Sequence, residues 1–449
     1  MARQRAQLYD AAMPNHASIA LGVPEILLPA PGQDLHKWAV IACDQYTSEP
    51  GYWEKVAALV GDAPSTLHLT YPEVFLAEKN PEARIARIRE TMRRYLEAGL
   101  FVETTGFVYL ERTIGKHVRR GLMACLDLEQ YDFAKGSTSP IRATEGTILD
   151  RIPPRVKIRE GATLELPHIM VLIDDPADTV IGPLRALRDR APLYDVELML
   201  GSGHVRGHLV EDPALETGVV RALEALASPA EFARKCAVPE GTPVLLYAMG
   251  DGNHSLATAK TIWETAKKAG APMDSRLRHA LVELVNLHDE ALVFEPIHRV
   301  LFEEKRPLLD ALRDAFGERC KISAAASFAA MRERVDAQSG AHALGLVTER
   351  GFSVVEIVAP TAALPVGTLQ AFLDDHMKKG GAKELDYVHG DEAVTTLGSK
   401  HGNVGIYLPR MKKEDLFRTV VLDGALPRKT FSMGEAYEKR FYLEGRRLV

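Results

Sequence analysis

Apolar residues fall into strand-length runs alternating with longer stretches at three-to-four-residue spacing, a pattern that predicts a mixed α/β protein. The first buried strand is expected at 37–42 (KWAVIA), ending in the polar stretch Cys43-Asp44-Gln45-Tyr46. A helix is expected from Asn80-Pro81, because Asn caps a helix and Pro suits its first position. Ile85, Ile88, Met92 and Leu96 then give one buried stripe, with Arg84, Arg87, Arg89, Arg93 and Arg94 on the solvated faces. Residues 106–128 (FVYLERTI, then RRGLMACLDLE) predict a hairpin through Gly115-Lys116. The run 168–173 (HIMVLI) predicts another buried strand. The run 243–249 (PVLLYAM) predicts one that delivers the chain into Gly250-Asp251-Gly252-Asn253-His254. The helix expected at 256–268 buries Leu256, Ala259, Ile262, Trp263 and Ala266.

Beyond about residue 275 the pattern starts again, with strands at 291–294, 342–348 and 353–358 and helices near 305–316, 325–337 and 367–379. A length of 449 residues exceeds one ordinary core. The expected organisation is an N-terminal α/β domain over 1–275 and a C-terminal α/β domain over 276–449 that contributes to the site.

Composition narrows the function classes. The net charge is −6 with both signs interspersed, which argues against a nucleic-acid groove but not against a small anionic substrate. No run approaches the roughly 20 apolar residues of a membrane span. Arg3 and Arg5 are not followed by an apolar run, so no secretory signal is read there. Cys43, Cys125, Cys236 and Cys320 lack C-x-x-C spacing and are expected to be reduced thiols in the cytoplasm. The segment containing His204 and His208 is rich in glycine and has no H-E-x-x-H glutamate, so no residue is assigned to a metal.

The strongest candidate for chemistry is Gly250-Asp251-Gly252-Asn253-His254-Ser255 between strand and helix. Glycine allows a sharp turn and close backbone approach, and a helix start offers free N–H groups to a phosphate. Asp251 and His254 add a carboxylate and an imidazole; the competing reading is a corner in which Asp251 or Asn253 only caps the helix. A second candidate alternates cations and carboxylates through Arg142, Glu145, Thr147, Asp150, Arg151, Arg155 and Lys157. A third is Glu295-Pro296-Ile297-His298-Arg299, and a fourth is 427–434, with Arg428, Lys429, Thr430 and Ser432. Each of these three has a bland alternative, as a solvated loop, a structural pair or a basic surface tail.

Taken in order, these segments resemble the "domain of unknown function 1015" family over nearly the whole chain. The matching elements are 40–50 with Tyr52-Trp53-Glu54, Arg142-x-x-Glu145-x-Thr147 with Asp150-Arg151, Gly250 to His254, Glu295 to Arg299, and Arg428 to Ser432. The Asp251-Gly252-x-His254 element is also similar to the signature of the ParB and sulfiredoxin-like superfamily, whose strand–loop–helix binds nucleotide phosphates and which includes free serine kinases. That resemblance implies a ParB/sulfiredoxin-like phosphate-binding core. Many superfamily members carry arginine after the histidine; this chain has Ser255, so Arg142, Arg151, Arg299 or Lys429 would supply the charge.

The function these features imply is phosphoryl transfer from a nucleotide or pyrophosphate to the hydroxyl of a small amino acid, serine first. The alternatives are a phosphate-ester or anhydride hydrolase and a non-catalytic nucleotide-binding regulator. The assigned roles are a phosphate cradle from Gly252, Asn253 and His254, with Ser255 beside it, and a proton acceptor in Glu145 or, failing that, Asp44. Asp251 would orient His254 or share a Mg²⁺, and Arg142, Arg151, His298, Arg299 and Lys429 would offset the anion's charge. The expected cofactors are Mg²⁺ with ATP, ADP or pyrophosphate. The expected partners are a small-molecule substrate and, in a homodimer, a second copy of the chain, with no nucleic acid and no membrane.

Overall fold

The computed structural model describes residues 15–337 and 340–449; Arg3 and Arg5 lie outside them. Two compact units emerge. The first comprises the described residues up to Ala143 together with Thr147–Leu292 and Glu435–Val449, and the second comprises Thr144–Gly146 and Val293–Gly434.

Unit 1 is built on a mixed, eleven-stranded sheet. Its strands include β1 (Val108–Ile114), β2 (His117–Asp127), β3 (Tyr131–Asp132), β4 (Ile141–Arg142), β5 (Met170–Ile173), β6 (Tyr194–Glu197), β7 (His204–Leu209), β8 (Tyr247–Asp251) and β9 (His279–Asn286). They lie in the order β6-β7-β1-β2-β9-β5-β8-β4-β3. The expected hairpin through Gly115-Lys116 is β1–β2, with Ile114 opposite His117. Strand alternation separates two cores. Leu122, Ala124 and Leu126 of β2 face a cluster with Leu256 and Trp263, while Met123 and Cys125 face one with Trp38, Trp53, Ile85, Ile88 and Met92. The helix α2 (Pro81–Glu97), which follows α1 (Pro50–Val60), starts as its sequence predicts, with Asn80 Oδ1 accepting the Ala83 amide at 3.4 Å.

Two expectations about unit 1 change. The run 37–42 is not a strand: Leu35–Trp38 forms one helical turn capped by Asp34, and Ile41 makes only an isolated bridge to Phe441. A short, fully buried apolar run carries no period that separates a strand from a buried turn. The boundary expected at 275 also falls inside unit 1, because β9 is buried at all eight positions and runs parallel to β5 and antiparallel to β2. Burial on both faces leaves β9 without the alternation that would mark it as part of the preceding sheet.

Unit 2 holds a seven-stranded, wholly antiparallel sheet formed by β10 (Phe294–Glu304), β11 (Cys320–Ala325), β12 (Ala341–Thr348), β13 (Gly351–Val358), β14 (Ala382–His389), β15 (Val404–Tyr407) and β16 (Phe431–Met433). The order is β11-β13-β12-β15-β10-β14, with β16 on the start of β10. The helices Leu308–Phe316, Phe328–Asp336 and Pro365–Lys378 match the three expected here to within a few residues. The protein is therefore of the mixed α/β class.

Candidate functional site

Strand β8 ends at Asp251, and the helix Asn253–Lys268 starts two residues later. Gly252 makes the turn with a left-handed φ of 76°, and a Cβ there would stand 3.0 Å from Ile169 Cα. Both demands require glycine. The Asp251 carboxylate is held from two sides: Oδ1 accepts the Gly252 amide at 2.9 Å and Oδ2 lies 3.1 Å from Lys439 Nζ. Burial alone would raise its pKa, but the charge and hydrogen bond of Lys439, with the His168 charge and the Gly252 amide, together leave the carboxyl below its usual value. Asn253 does not cap the helix. Its amide donates to Thr147 Oγ1 at 3.1 Å, and its Oδ1 is 3.4 Å from the Tyr131 hydroxyl.

His254 accepts the Ile148 amide at Nε2 (3.3 Å), so the neutral ring carries its proton on Nδ1. Burial, then the charges of Arg155 and Arg151, push its pKa down to about 4. Ser255 turns its hydroxyl to His168, with Oγ 2.9 Å from Nε2. The same nitrogen is 3.5 Å from Asp44 Oδ2, and His168 Nδ1 lies 2.8 Å from the Tyr442 hydroxyl. The Tyr442 oxygen in turn accepts the Cys43 amide at 3.0 Å. Glu73 lies near Asp44, with its amide on the Cys43 carbonyl at 2.7 Å and its carboxylate paired to Arg155. Burial raises the Glu73 pKa; Arg155 opposes that rise and the Asp44 charge adds to it.

Unit 1 thus brings together Asp44, Asp251, Gly252, Asn253, His254, Ser255 and Arg151 of the residues expected from sequence. Arg142 is in the same unit but is engaged elsewhere. Its guanidinium donates to the carbonyls of Ser139 (2.6 Å), Pro243 (2.9 Å) and Val244 (3.2 Å), pinning the segment that leads into β8 rather than facing outward.

Glu145, His298, Arg299 and Lys429 belong to unit 2. Burial raises the Glu145 pKa, against the charges of Lys429 and Arg299 and hydrogen bonds from the Thr430 and Lys429 amides. Lys429 adopts a left-handed φ of 55° there. Arg299 is fully buried, bonded to Gln370 Oε1, to the carbonyls of Ile297 and Arg428, and stacked 5.0 Å over Tyr387. Burial lowers its pKa to about 10. His298 is 1% exposed, accepts the Leu408 amide at Nδ1 (3.2 Å), stacks on Tyr407, and has its pKa lowered to about 4, chiefly by burial. A neutral, enclosed ring of this kind fastens β10 to β15 instead of offering a cation.

Sequence reasoning missed His168, Lys439, Tyr442 and Glu73. His168 stood in view at the head of the HIMVLI run, whereas Lys439 and Tyr442 follow the closing 427–434 motif with no spacing that marks them.

Unit 1 of this mixed α/β protein therefore gathers the carboxylates of Asp44, Glu73 and Asp251, the imidazoles of His168 and His254, and the cations Arg155 and Lys439 around a glycine turn at a helix start. The model for the family described as "Protein of unknown function (DUF1015)" matches residues 27–376, and the chain belongs to that family. Among solved structures, the chain is similar to a free serine kinase in complex with AMP at 11% identity, with 74% of this chain and 93% of that chain covered and a TM-score of 0.36. A conserved hypothetical protein from Pyrococcus furiosus matches at 12% identity over 74% of this chain and 97% of that chain, with a TM-score of 0.35. SbnI with a C-terminal truncation, from Staphylococcus aureus, matches at 9% identity over 72% and 85%, with a TM-score of 0.33. No curated protein matches the chain. No helix among the described residues is long and apolar enough to cross a membrane.

Proposed function

We propose that this protein transfers a phosphoryl group from a nucleotide or pyrophosphate to the hydroxyl of a small amino acid. Serine is the acceptor that the Asp251-Gly252-x-His254 resemblance brings forward. The observation that carries the reading is the meeting of Asp44 and His168 with the Lys439-paired Asp251 at the Gly252 turn. Phosphoryl transfer asks mainly for positioning and charge neutralisation, with a carboxylate at hand for the acceptor's proton.

In this scheme the donor phosphate sits at the start of the helix Asn253–Lys268, where the neutral His254 donates through Nδ1–H and Arg151, Arg155 and Lys439 offset negative charge. Asp251 holds the turn and Lys439 rather than orienting His254. Asp44 accepts the acceptor's proton; Glu145, seated on the Lys429 and Thr430 amides of unit 2, is not assigned that role. Among the described residues no three metal-ligating side chains cluster. A Mg²⁺ bound to phosphates keeps several waters and needs only one or two carboxylates. Glu73, whose pKa the Asp44 charge helps to raise, is the carboxylate that would hold such an ion, leaving Asp44 to take the proton; the ion would neutralise phosphate charge.

The test is a coupled assay for O-phosphoserine formed from L-serine with ATP, ADP or pyrophosphate. Product that falls about 10²–10⁴-fold in Asp44→Asn supports the reading. Phosphate release without an acceptor would favour a hydrolase, and tight donor binding without turnover a regulator. Either result overturns it, as does full turnover in Asp251→Asn and His254→Ala.

A further inference from the structure

The helix after the glycine turn carries four hydroxyl residues, Ser255, Thr258, Thr261 and Thr265, and one behaves unlike the rest. Thr258, Thr261 and Thr265 each donate to the carbonyl four residues back, at 2.7, 2.8 and 2.9 Å. This is the ordinary fate of a hydroxyl inside a helix. Ser255 instead points Oγ at His168 Nε2, 2.9 Å away. The opposite ring nitrogen is anchored by Tyr442, whose oxygen also accepts the Cys43 amide. When Nδ1–H donates to that oxygen, the Nε2 lone pair faces Ser255. Asp44 Oδ2, 3.5 Å from Nε2, is placed to stabilise the ring once it gains a proton. Hydroxyl, base and orienting group stand in the relation that activates a nucleophile. Ser255 is only partly buried, so a reactant can reach it.

We infer that Ser255 is a nucleophile and that the phosphoryl group passes through O-phosphoserine at this position, an inference that rests on the phosphoryl-transfer reading. In the first step Oγ attacks the terminal phosphorus of the donor. The Oγ–P bond forms, the bond from phosphorus to the bridging oxygen breaks, the electron pair leaves with the nucleotide or phosphate, and the Oγ proton moves to His168 Nε2. In the second step the acceptor hydroxyl attacks the same phosphorus and gives its proton to Asp44. Oγ then departs and recovers its proton from His168. The second step exchanges one serine-type phosphate ester for another, so it has no large uphill term. A phosphate on the first turn of a helix also sits at the favourable end of its dipole.

The full chain is incubated with Mg²⁺ and ATP, ADP or pyrophosphate without acceptor, quenched in acid, and its peptides are weighed. The expected result is an acid-stable phosphate on the Ser255 peptide, chased off by L-serine, with retention of configuration at phosphorus over the whole reaction. Ser255→Ala should lose both label and turnover while keeping the wild-type melting temperature, Ser255→Thr should recover part of the label, and His168→Gln should slow labelling about 10²–10⁴-fold. Turnover with inversion at phosphorus, with no label on Ser255, or within threefold of wild type in Ser255→Ala overturns the covalent route and leaves direct transfer standing. Failure of the wild-type protein to turn over any donor overturns the phosphoryl-transfer reading and this inference with it.

Discussion

Lys439 Nζ lies 3.1 Å from Asp251 Oδ2, joining the C-terminal stretch of the chain to the glycine turn at its centre. The pair is mostly shielded, with the lysine side chain 13% exposed and the aspartate 24%. It gives the turn a fixed carboxylate whose negative charge is offset by the lysine.

Lys439→Met should therefore cost about 1–3 kcal/mol, since it strands a partly buried carboxylate. The Asp251 pKa is depressed in the folded protein, so the pair's stabilisation is present above the usual carboxylate range and fades as pH falls through the lowered value. Chemical denaturation at pH 7 and pH 3 checks this: the gap between wild type and variant should be narrower at the second than at the first.

His254 acts in the same direction, in a higher pH window. Its folded pKa of about 4 lies below the usual 6.5, so the unfolded chain takes up the proton first and stability declines as pH drops between those values. Calorimetry from pH 7 to pH 4 should show a shallower decline for His254→Gln than for wild type. An NMR titration should find the ring neutral at pH 6.

Gly252→Ala places a side chain at a φ of 76° and 3.0 Å from Ile169 Cα. A left-handed non-glycine residue costs of the order of 1–3 kcal/mol. The melting temperature should fall, and under the proposed phosphoryl transfer turnover should fall further than the stability loss explains, because the helix-start amides shift with the turn.

Arg142→Ala removes the donor to three carbonyls. The expected outcome is a loss of about 1–3 kcal/mol with KM for the phosphate donor unchanged in the folded fraction. A raised KM without destabilisation would return Arg142 to the phosphate.

Glu145→Gln should be tolerated at neutral pH. A carboxyl whose folded pKa is raised loses stabilisation as pH climbs through that value, so the amide should match or exceed wild type at pH 8, within about 1 kcal/mol. Melting curves at pH 5 and pH 8 decide it.

Local pattern carried much of the fold. The Gly115-Lys116 hairpin, the capped helix at Asn80-Pro81 and the glycine turn between β8 and its helix were all legible, because each is set by side chains within a few residues of one another. The run 37–42 and the placement of β9 were not, since a fully buried segment shows no period. At the site, Asp251, Gly252 and Ser255 could be marked as a group, but their partners could not.

The sequence by itself determined the mixed α/β character, the family, and the turn at Gly252, where only glycine accepts the backbone angle. The tertiary structure decided which charges meet: Lys439 with Asp251, His168 with Ser255 and Asp44, and Arg142 with carbonyls. Residues that far apart in sequence have no spacing to betray them. Whether a guanidinium faces solvent or a buried carbonyl depends on the packing around it, which no local pattern encodes.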